Sequence, residues 1–303
     1  MAMADGRHRA RNLAEMADIQ ARVMDVGDMI RAVAGFQPRP TDVIISPAGK
    51  CGTTLLQQTF HTLRTRGDME FDDISRVVPW IETSVALGID LNAEQSAEPR
   101  GFKSHLGWDQ VPKGAKYVVS LRDPKDAFVS GYRFMEGWYF EKGAISYKEM
   151  FAERKKALGK GRDHWSHLIG WWEQRDNPDV LLLSFEHMVD DPELNARRVA
   201  EFCGIRLDDE LLALTIEHTS RQFMLHHKDR FDDAMLRELS ETKGGLPPGS
   251  DSAKVRPGGV EKRSLELPRA IGQEFDDIWR TNVTPKIGFT DFEALEIELR
   301  TKR

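Results

Sequence analysis

The sequence is poor in cysteine, and its 303 residues contain only Cys51 and Cys203. The two cysteines lie far apart and in no metal-ligand spacing, which argues against a disulfide framework and against a zinc site. So few cysteines suit a reducing cytoplasm. We therefore expect a cytoplasmic protein with no bound metal.

Long apolar runs and an excess of positive charge are also missing. No stretch approaches the roughly 18 apolar residues of a membrane-spanning helix, and the N-terminus is charged rather than apolar. The chain has 43 basic and 49 acidic side chains, a net charge of −6. General nucleic-acid binding needs a surface that neutralises phosphates, so we expect neither a nucleic-acid partner nor membrane insertion. The oligomeric state stays open.

Short apolar strands alternate with helical segments along the chain. The runs at 42–46, 115–121 and 179–184 are apolar over nearly their whole length, and helical periodicity follows each of them. Continuous apolar strands between helices are typical of a parallel sheet that is covered on both faces. We therefore predict an α/β fold with three layers, αβα, around a central and mostly parallel sheet.

Two further segments bear on domain organisation. Residues 13–33 place apolar side chains mostly three or four apart, as in an amphipathic helix or helix pair, and the prolines at 38 and 40 end the pattern. We predict an N-terminal helical segment, 1–40, packed on a single domain, 41–303. A stretch rich in glycine and proline, about 243–260, predicts a loop that acts as a lid.

A turn that contains glycine joins the first strand to the next helix, with the sequence Gly49-Lys-Cys-Gly-Thr-Thr54. Backbone N–H groups at a helix N-terminus, together with a lysine and two hydroxyls, favour an anion. The Walker A motif requires glycine at position 44 and serine or threonine at 51, where this chain has Ile44 and Cys51. At this point an ordinary glycine turn with a surface lysine stays open as the alternative.

A second turn follows the strand at 115–121. Arg122 leaves the strand end, and Ser130 comes eight residues later, two turns along the next helix. Arginine offers a planar fork that suits a phosphate. Asp123 can cap this helix, with Pro124 at its first position. Taken alone, the segment leaves an ordinary helix entry open as the alternative.

These segments resemble motifs of the cytosolic-type sulfotransferases that use 3′-phosphoadenosine-5′-phosphosulfate (PAPS). Residues 47–54 resemble the family's PKSGTTW loop, 101–106 resemble its KTHLP stretch, and 122–130 resemble its RNPKD…S motif. The resemblance runs from about 42 to about 262 and is closer to a bacterial branch. It implies the P-loop-like sulfotransferase fold and PAPS as co-substrate, with 3′-phosphoadenosine 5′-phosphate (PAP) as product.

The resemblance also implies which residues hold the nucleotide. In the family, the phosphate loop holds the 5′ side, and the residues that match Arg122 and Ser130 hold the 3′-phosphate. Three weaker matches lie near the adenine and the C-terminus. Together these motifs imply Lys50, Cys51, Gly52, Thr53, Thr54, Arg122, Ser130, Phe185, Thr219, Arg256 and Gly258. Departures weaken the later motifs, because Arg221 stands where the family has phenylalanine and Pro257 where it has lysine.

The chemistry expected at the reacting centre needs three side chains. An acceptor hydroxyl is a weak nucleophile until a base removes its proton, and by the resemblance that base is His105. Lys50 and Lys103 are expected to stabilise the negative charge on the leaving phosphate, without a metal ion.

The acceptor itself is defined only by class. We expect a hydroxylated small molecule or lipid, bound by the apolar side chains Trp80, Phe134, Trp138 and Met224, although core packing explains these residues equally well. The alternative function is a non-catalytic or altered phosphate-loop protein that binds a nucleotide as a kinase does.

Overall fold

A computed structural model describes residues 6–252, 254–255 and 263–301 of the chain. Its centre is a sheet of four strands in the order β2-β1-β3-β4, and each neighbouring pair is parallel. The strands are β1 (Val43–Ile45), β2 (Gly101–Lys103), β3 (Lys116–Leu121) and β4 (Val180–Ser184). The predicted parallel sheet is confirmed, and β2 is a strand that the apolar pattern did not indicate.

Sixteen α-helices surround the sheet in the described residues. They are α1 (Leu13–Val23), α2 (Val26–Gly35), α3 (Thr53–Thr65), α4 (Ile74–Val77), α5 (Ser84–Leu87), α6 (Pro124–Trp138), α7 (Tyr147–Lys155), α8 (His164–Trp172), α9 (Phe185–Asp190), α10 (Pro192–Cys203), α11 (Asp209–Thr219), α12 (Arg221–His226), α13 (Ala234–Thr242), α14 (Arg269–Ile278), α15 (Thr284–Ile287) and α16 (Phe292–Thr301). Short 3-10 turns occupy Ile81–Thr83, Lys228–Phe231 and Arg263–Glu266, and a π-helical stretch occupies Trp279–Val283.

Helices cover both faces of the sheet, because successive side chains of a strand point to opposite faces. Val43 and Ile45 pack on one side with Phe60 of α3, in a buried cluster that also includes α10 and α11. Ile44 points to the other side and packs in a second cluster with Trp171 of α8, together with residues of α14 and α16. The predicted three-layer αβα arrangement is therefore confirmed.

The carboxyl ends of the four strands lie at one edge of the sheet and position the candidate site. Directly after β1 comes the loop 46–52, and after β2 come Ser104 and His105. Arg122 follows β3, and Phe185 follows β4. In open parallel sheets ligands bind beyond this edge, so the topology brings together motifs that are far apart in sequence.

The start of the chain and the glycine-rich stretch both contact the end of α6. The amide of Ala10 donates to the carbonyl of Tyr139 at 2.7 Å, and the amide of Asp251 donates to the carbonyl of Gly137 at 3.1 Å. Arg256 and Gly258 lie outside the described residues, as does part of the predicted lid. The division into an N-terminal segment and one domain stays a prediction, as does the role of the lid.

Candidate active site

The phosphate loop is held in its shape by its own backbone and by β3. Gly52 precedes α3 with φ of 94°, and Lys50 also has a left-handed φ of 70°. The hydroxyl of Ser120 donates to the carbonyl of Cys51. A Cβ added to Gly52 would lie 2.6 Å from Cδ2 of Phe185, so only glycine fits there.

Two buried donors beside this loop lack an acceptor in the described part of the chain. They are the hydroxyl of Thr53, in the first turn of α3, and Nε of Arg122. A buried polar group without a partner is costly, and the amides of the first turn of a helix also need acceptors. Phosphate oxygens would satisfy all of these donors. The local chemistry therefore fits a bound phosphate group.

Arg122 is fixed between the loop and the start of α9. Its Nη1 donates to the carbonyl of Lys50 at 3.0 Å, and its guanidinium carbon lies 4.2 Å from the ring centroid of Phe185. Glu186 places Oε1 3.7 Å from Nε of Arg122, and burial raises the pKa of Glu186 to about 7. Arg122 and Phe185, both predicted from the motifs, are thus joined to the phosphate loop.

Helix α6 carries the predicted serine, Ser130, and passes beside the phosphate loop. Asp123 caps this helix by accepting from the amide of Lys125 at 2.7 Å, with Pro124 in the first turn, as predicted. Ser130 is buried, and a Cβ added to the next residue, Gly131, would lie 3.8 Å from Cγ of Lys50. The helix therefore passes Lys50 at the residue next to Ser130, and the role of Ser130 toward a 3′-phosphate stays a prediction.

One cation near this helix was missed by the sequence analysis. Nη2 of Arg154, on α7, would lie 3.9 Å from a Cβ added to Gly131, on the side of α6 that faces Lys50. The surrounding sequence, Glu153-Arg-Lys-Lys156, has the pattern of a solvated charged face and gives no signal of a site.

His105 is held by two hydrogen bonds. Its Nδ1 lies 2.8 Å from the carbonyl oxygen of Pro47, and its amide donates to Oε1 of Glu82 at 2.7 Å. A carbonyl only accepts, so Nδ1 carries the proton and Nε2 keeps its lone pair for an incoming proton. Burial, followed by the charge of Lys103, lowers the pKa of His105 to about 3. The imidazole is therefore neutral at physiological pH.

Lys103 ends β2 next to His105 and is buried. Its Nζ lies 3.8 Å from the ring centroid of Trp80, and that ring meets the imidazole of His105 edge-on at 5.1 Å. Burial, followed by the charge of Lys254, lowers the pKa of Lys103 to about 8. Nζ also lies 3.8 Å from Oδ1 of Asp233. The motifs did not indicate Asp233 or Lys254.

Two of the four predicted acceptor residues lie beside the lysines. Trp80 covers Lys103, and Nζ of Lys50 lies 4.9 Å from the ring centroid of Phe134. Trp138 stacks behind Phe134 at 5.6 Å with 0% of its surface exposed, so here it presents no surface to a ligand.

The remaining predicted residues lie in other surroundings. Met224 packs in a separate buried cluster with Phe71 and Phe231. The hydroxyl of Thr219 donates within α11 to the carbonyl of Thr215 at 2.6 Å. The contacts of Met224 and Thr219 are thus with neighbouring protein groups, and their roles toward ligands stay predictions.

Two kinds of feature are absent from the described residues. In that part of the chain, His, Cys, Asp and Glu side chains form no group of three or more that could hold a metal ion. No helix there has the length and apolar character to cross a membrane.

Comparison with known proteins gives one consistent result. Residues 40–287 match the family described as the sulfotransferase domain. Sulfotransferase 2A1 of Macaca fascicularis is 32% identical over 260 residues, 82% of this chain and 86% of the relative. Sulfotransferase 1C2 of Rattus norvegicus is 30% identical over 296 residues, 92% of this chain and 95% of the relative. A retinol dehydratase, solved in a complex with retinol and PAP, shares the fold with a TM-score of 0.70 at 18% identity, covering 91% of this chain and 96% of its own.

Proposed function

The chain belongs to the sulfotransferase domain family, and we propose that it transfers a sulfuryl group from PAPS to an acceptor hydroxyl, with His105 as general base. One observation carries the proposal: a neutral His105, with Nε2 free of its own proton, lies beside Lys103 at the sheet edge that also holds the phosphate loop. A base, two cations and phosphate donors are what such a transfer requires.

The donor is held by the half of the site that follows β1 and β3. Thr53 and the first amides of α3 bind the 5′ side, while Arg122 and Ser130 bind the 3′-phosphate. The hydroxyl of Thr53 and Nε of Arg122 are buried and make no hydrogen bond in the described structure, which supports this assignment. Phe185, in contact with Arg122, offers a flat apolar surface to the nucleoside. The assignments of Cys51, Thr54, Thr219, Arg256 and Gly258 rest on the resemblance alone.

The transfer itself is an in-line displacement. The acceptor oxygen forms a bond to sulfur while the bond from sulfur to the phosphate oxygen breaks, and the electron pair leaves with that oxygen. His105 takes the hydroxyl proton on Nε2, and Lys50 and Lys103 stabilise the charge that develops on the leaving oxygen. Binding of an anionic group at Lys103 offsets the charge that depresses the pKa of His105. We therefore expect a stronger base in the complex than in the free protein.

The acceptor is proposed by class as a hydroxylated small molecule or lipid. Trp80 and Phe134 supply aromatic surface next to Lys103 and Lys50. The fold is shared with a protein that was solved with retinol, which bears a hydroxyl group on an apolar body. A cytoplasmic location also stays a prediction.

Two measurements test the proposal. Wild type should bind 3′,5′-adenosine bisphosphate far more tightly than ATP, and should transfer labelled sulfate from PAPS to a member of a panel of phenols, sterols and glycolipids. For His105→Ala, loss of a general base predicts a fall in kcat of roughly 100- to 10,000-fold. Bisphosphate affinity should change by less than about threefold in this variant, because the imidazole is not placed on the phosphates.

The exposed histidine His226 gives a matched control, and His226→Ala should keep wild-type kcat. Full activity in His105→Ala would show that the proposed base is wrong. Tighter binding of ATP than of the bisphosphate would favour the kinase-like alternative.

A further inference from the structure

Asp233 lies immediately before α13 in an unusual conformation. Its φ and ψ are 49° and 49°, a left-handed backbone at a residue that is not glycine. The residue is 4% exposed, and its side chain makes no cap hydrogen bond to its own helix. An aspartate in this place normally accepts from the first helical amides. The carboxylate therefore points elsewhere.

Another aspartate takes over the capping role. Oδ2 of Asp73 accepts from the amide of Met235, in the first turn of α13, at 3.1 Å. Oδ1 of the same carboxylate accepts from the amide of Ser75 at 2.8 Å and so caps α4. Because Asp73 supplies the first turn of α13, the carboxylate of Asp233 remains available to the reacting centre.

The carboxylate of Asp233 meets two ammonium groups. Its Oδ1 lies 3.8 Å from Nζ of Lys103 and forms a closer ion pair with Lys254. Burial alone would oppose ionisation of Asp233. Lys254 and Lys103 outweigh that effect and hold the pKa of Asp233 at about 2. The carboxylate is therefore charged at every pH at which the enzyme would work.

The groups around Lys103 have opposite effects on its ionisation. Burial and the charge of Lys254 favour its neutral amine, whereas Asp233, Asp73 and Glu82 favour the ammonium form. Neutral His105 is also close enough for the charge of Lys103 to lower its pKa. Of the three carboxylates, Asp73 and Glu82 are engaged by backbone amides. Asp233 is thus the carboxylate directed at Lys103.

We propose that Asp233 is a positioning residue, which holds Lys103 in its ammonium form against Trp80 at the point of transfer, with Lys254 as the opposing charge. This inference rests on the proposed function. An ammonium group stabilises the leaving oxygen, and an amine does not. Activity should therefore fall as pH rises through the pKa of Lys103, and Asp233 should set where that fall occurs.

Asp233→Asn is the decisive variant, because asparagine tolerates a left-handed backbone and removes only the charge. The titration of Lys103 is followed by NMR of protein labelled at the lysine Cε carbons, assigned with Lys103→Arg. We expect the midpoint to fall by one pH unit or more, with the alkaline limb of the kcat profile moving equally. Lys254→Met should move both in the opposite direction. Exposed Asp229, changed to Asn, is the control and should move neither.

An unmoved Lys103 midpoint in Asp233→Asn would overturn the inference, as would a midpoint that moves while the kcat profile stays in place. If Asp233→Asn did not fold, the shift in Lys254→Met would decide alone, and its absence would be equally fatal. Absence of sulfuryl transfer by wild type would remove the proposed function. The NMR titration would then still decide whether Asp233 controls the charge of Lys103.

Discussion

The two halves of the candidate site are built in different ways. The donor half consists of residues in the segments that leave the strand ends, such as Gly52 in the loop after β1 and Arg122 directly after β3, and the sheet itself brings them together. The half around Lys103 instead depends on Asp233 and Lys254, which are 130 and 151 residues farther along the chain and lie outside any strand. Local sequence therefore encodes the first half, and tertiary packing encodes the second.

The largest effect on bisphosphate affinity is expected from a single methyl group in the donor half, in Gly52→Ala. Alanine at position 52 would have to keep a left-handed backbone, and its Cβ would press on the ring of Phe185, which also contacts Arg122. A shift of the loop that relieves strain of about 1–3 kcal/mol in the free protein, together with displacement of the ring, predicts a loss of bisphosphate affinity of roughly 100-fold. Isothermal titration calorimetry would measure it.

Gly49→Ala, in the same loop, is the matched control. A Cβ on Gly49 meets nothing within 4 Å, so affinity should change by less than about threefold. Equal losses in the two variants would show that the loop tolerates no change at all. The close packing of Phe185 on Gly52 would then not be the cause.

The next effect tests whether the donor half recognises the 3′-phosphate by geometry or by charge. Arg122→Lys keeps the charge but loses the planar fork, and it also loses the bond from Nη1 to the carbonyl of Lys50. Charged hydrogen bonds contribute about 1.5–3 kcal/mol, so bisphosphate affinity should fall roughly 10- to 100-fold. Affinity for adenosine 5′-monophosphate, measured alongside, should change little.

Arg280→Lys makes the same change at an exposed surface position and should leave both affinities unaltered. A uniform loss for bisphosphate and monophosphate in Arg122→Lys would mean that Arg122 supports the loop rather than the 3′-phosphate.

This contrast explains which parts of the fold and the site could be predicted from the sequence alone. Three strands, the parallel sheet and the cap formed by Asp123 follow from apolar runs and local turn chemistry, and the structure confirms them. The apolar pattern did not predict the three-residue strand β2, because Phe102 is its only large apolar side chain. It acquires strand structure from pairing with β1, which a one-dimensional pattern does not record.

The sequence did not predict the contacts around His105 and Lys103, for a related reason. Nothing near Glu82 in sequence indicates that it accepts from the amide of His105. Asp233 has the ordinary pattern of a helix cap, yet Asp73 takes that role. The contact of Asp233 with Lys103 joins residues far apart in sequence, so only the folded structure shows it.

The smallest predicted effect concerns the donor half, where Glu186 is expected to compete with the nucleotide for Arg122. With its pKa at about 7, Glu186 is mostly neutral at pH 6 and mostly charged at pH 8. The charged carboxylate, 3.7 Å from Nε of Arg122, should oppose a phosphate at that guanidinium. Wild type should therefore lose affinity for the bisphosphate, relative to Glu186→Gln, as pH rises through 7.

The ratio of the two affinities isolates this effect, because the ionisation of the phosphate itself is common to both proteins. The affinity of Glu186→Gln divided by that of wild type should grow about threefold between pH 6 and pH 8. The effect is small because Arg122 keeps its other contacts. Glu193→Gln, at an exposed position on α10, should give a flat ratio against wild type. A flat ratio for Glu186→Gln as well would mean that phosphate binding is not linked to the ionisation of Glu186. Glu186 would then not compete with the nucleotide for Arg122.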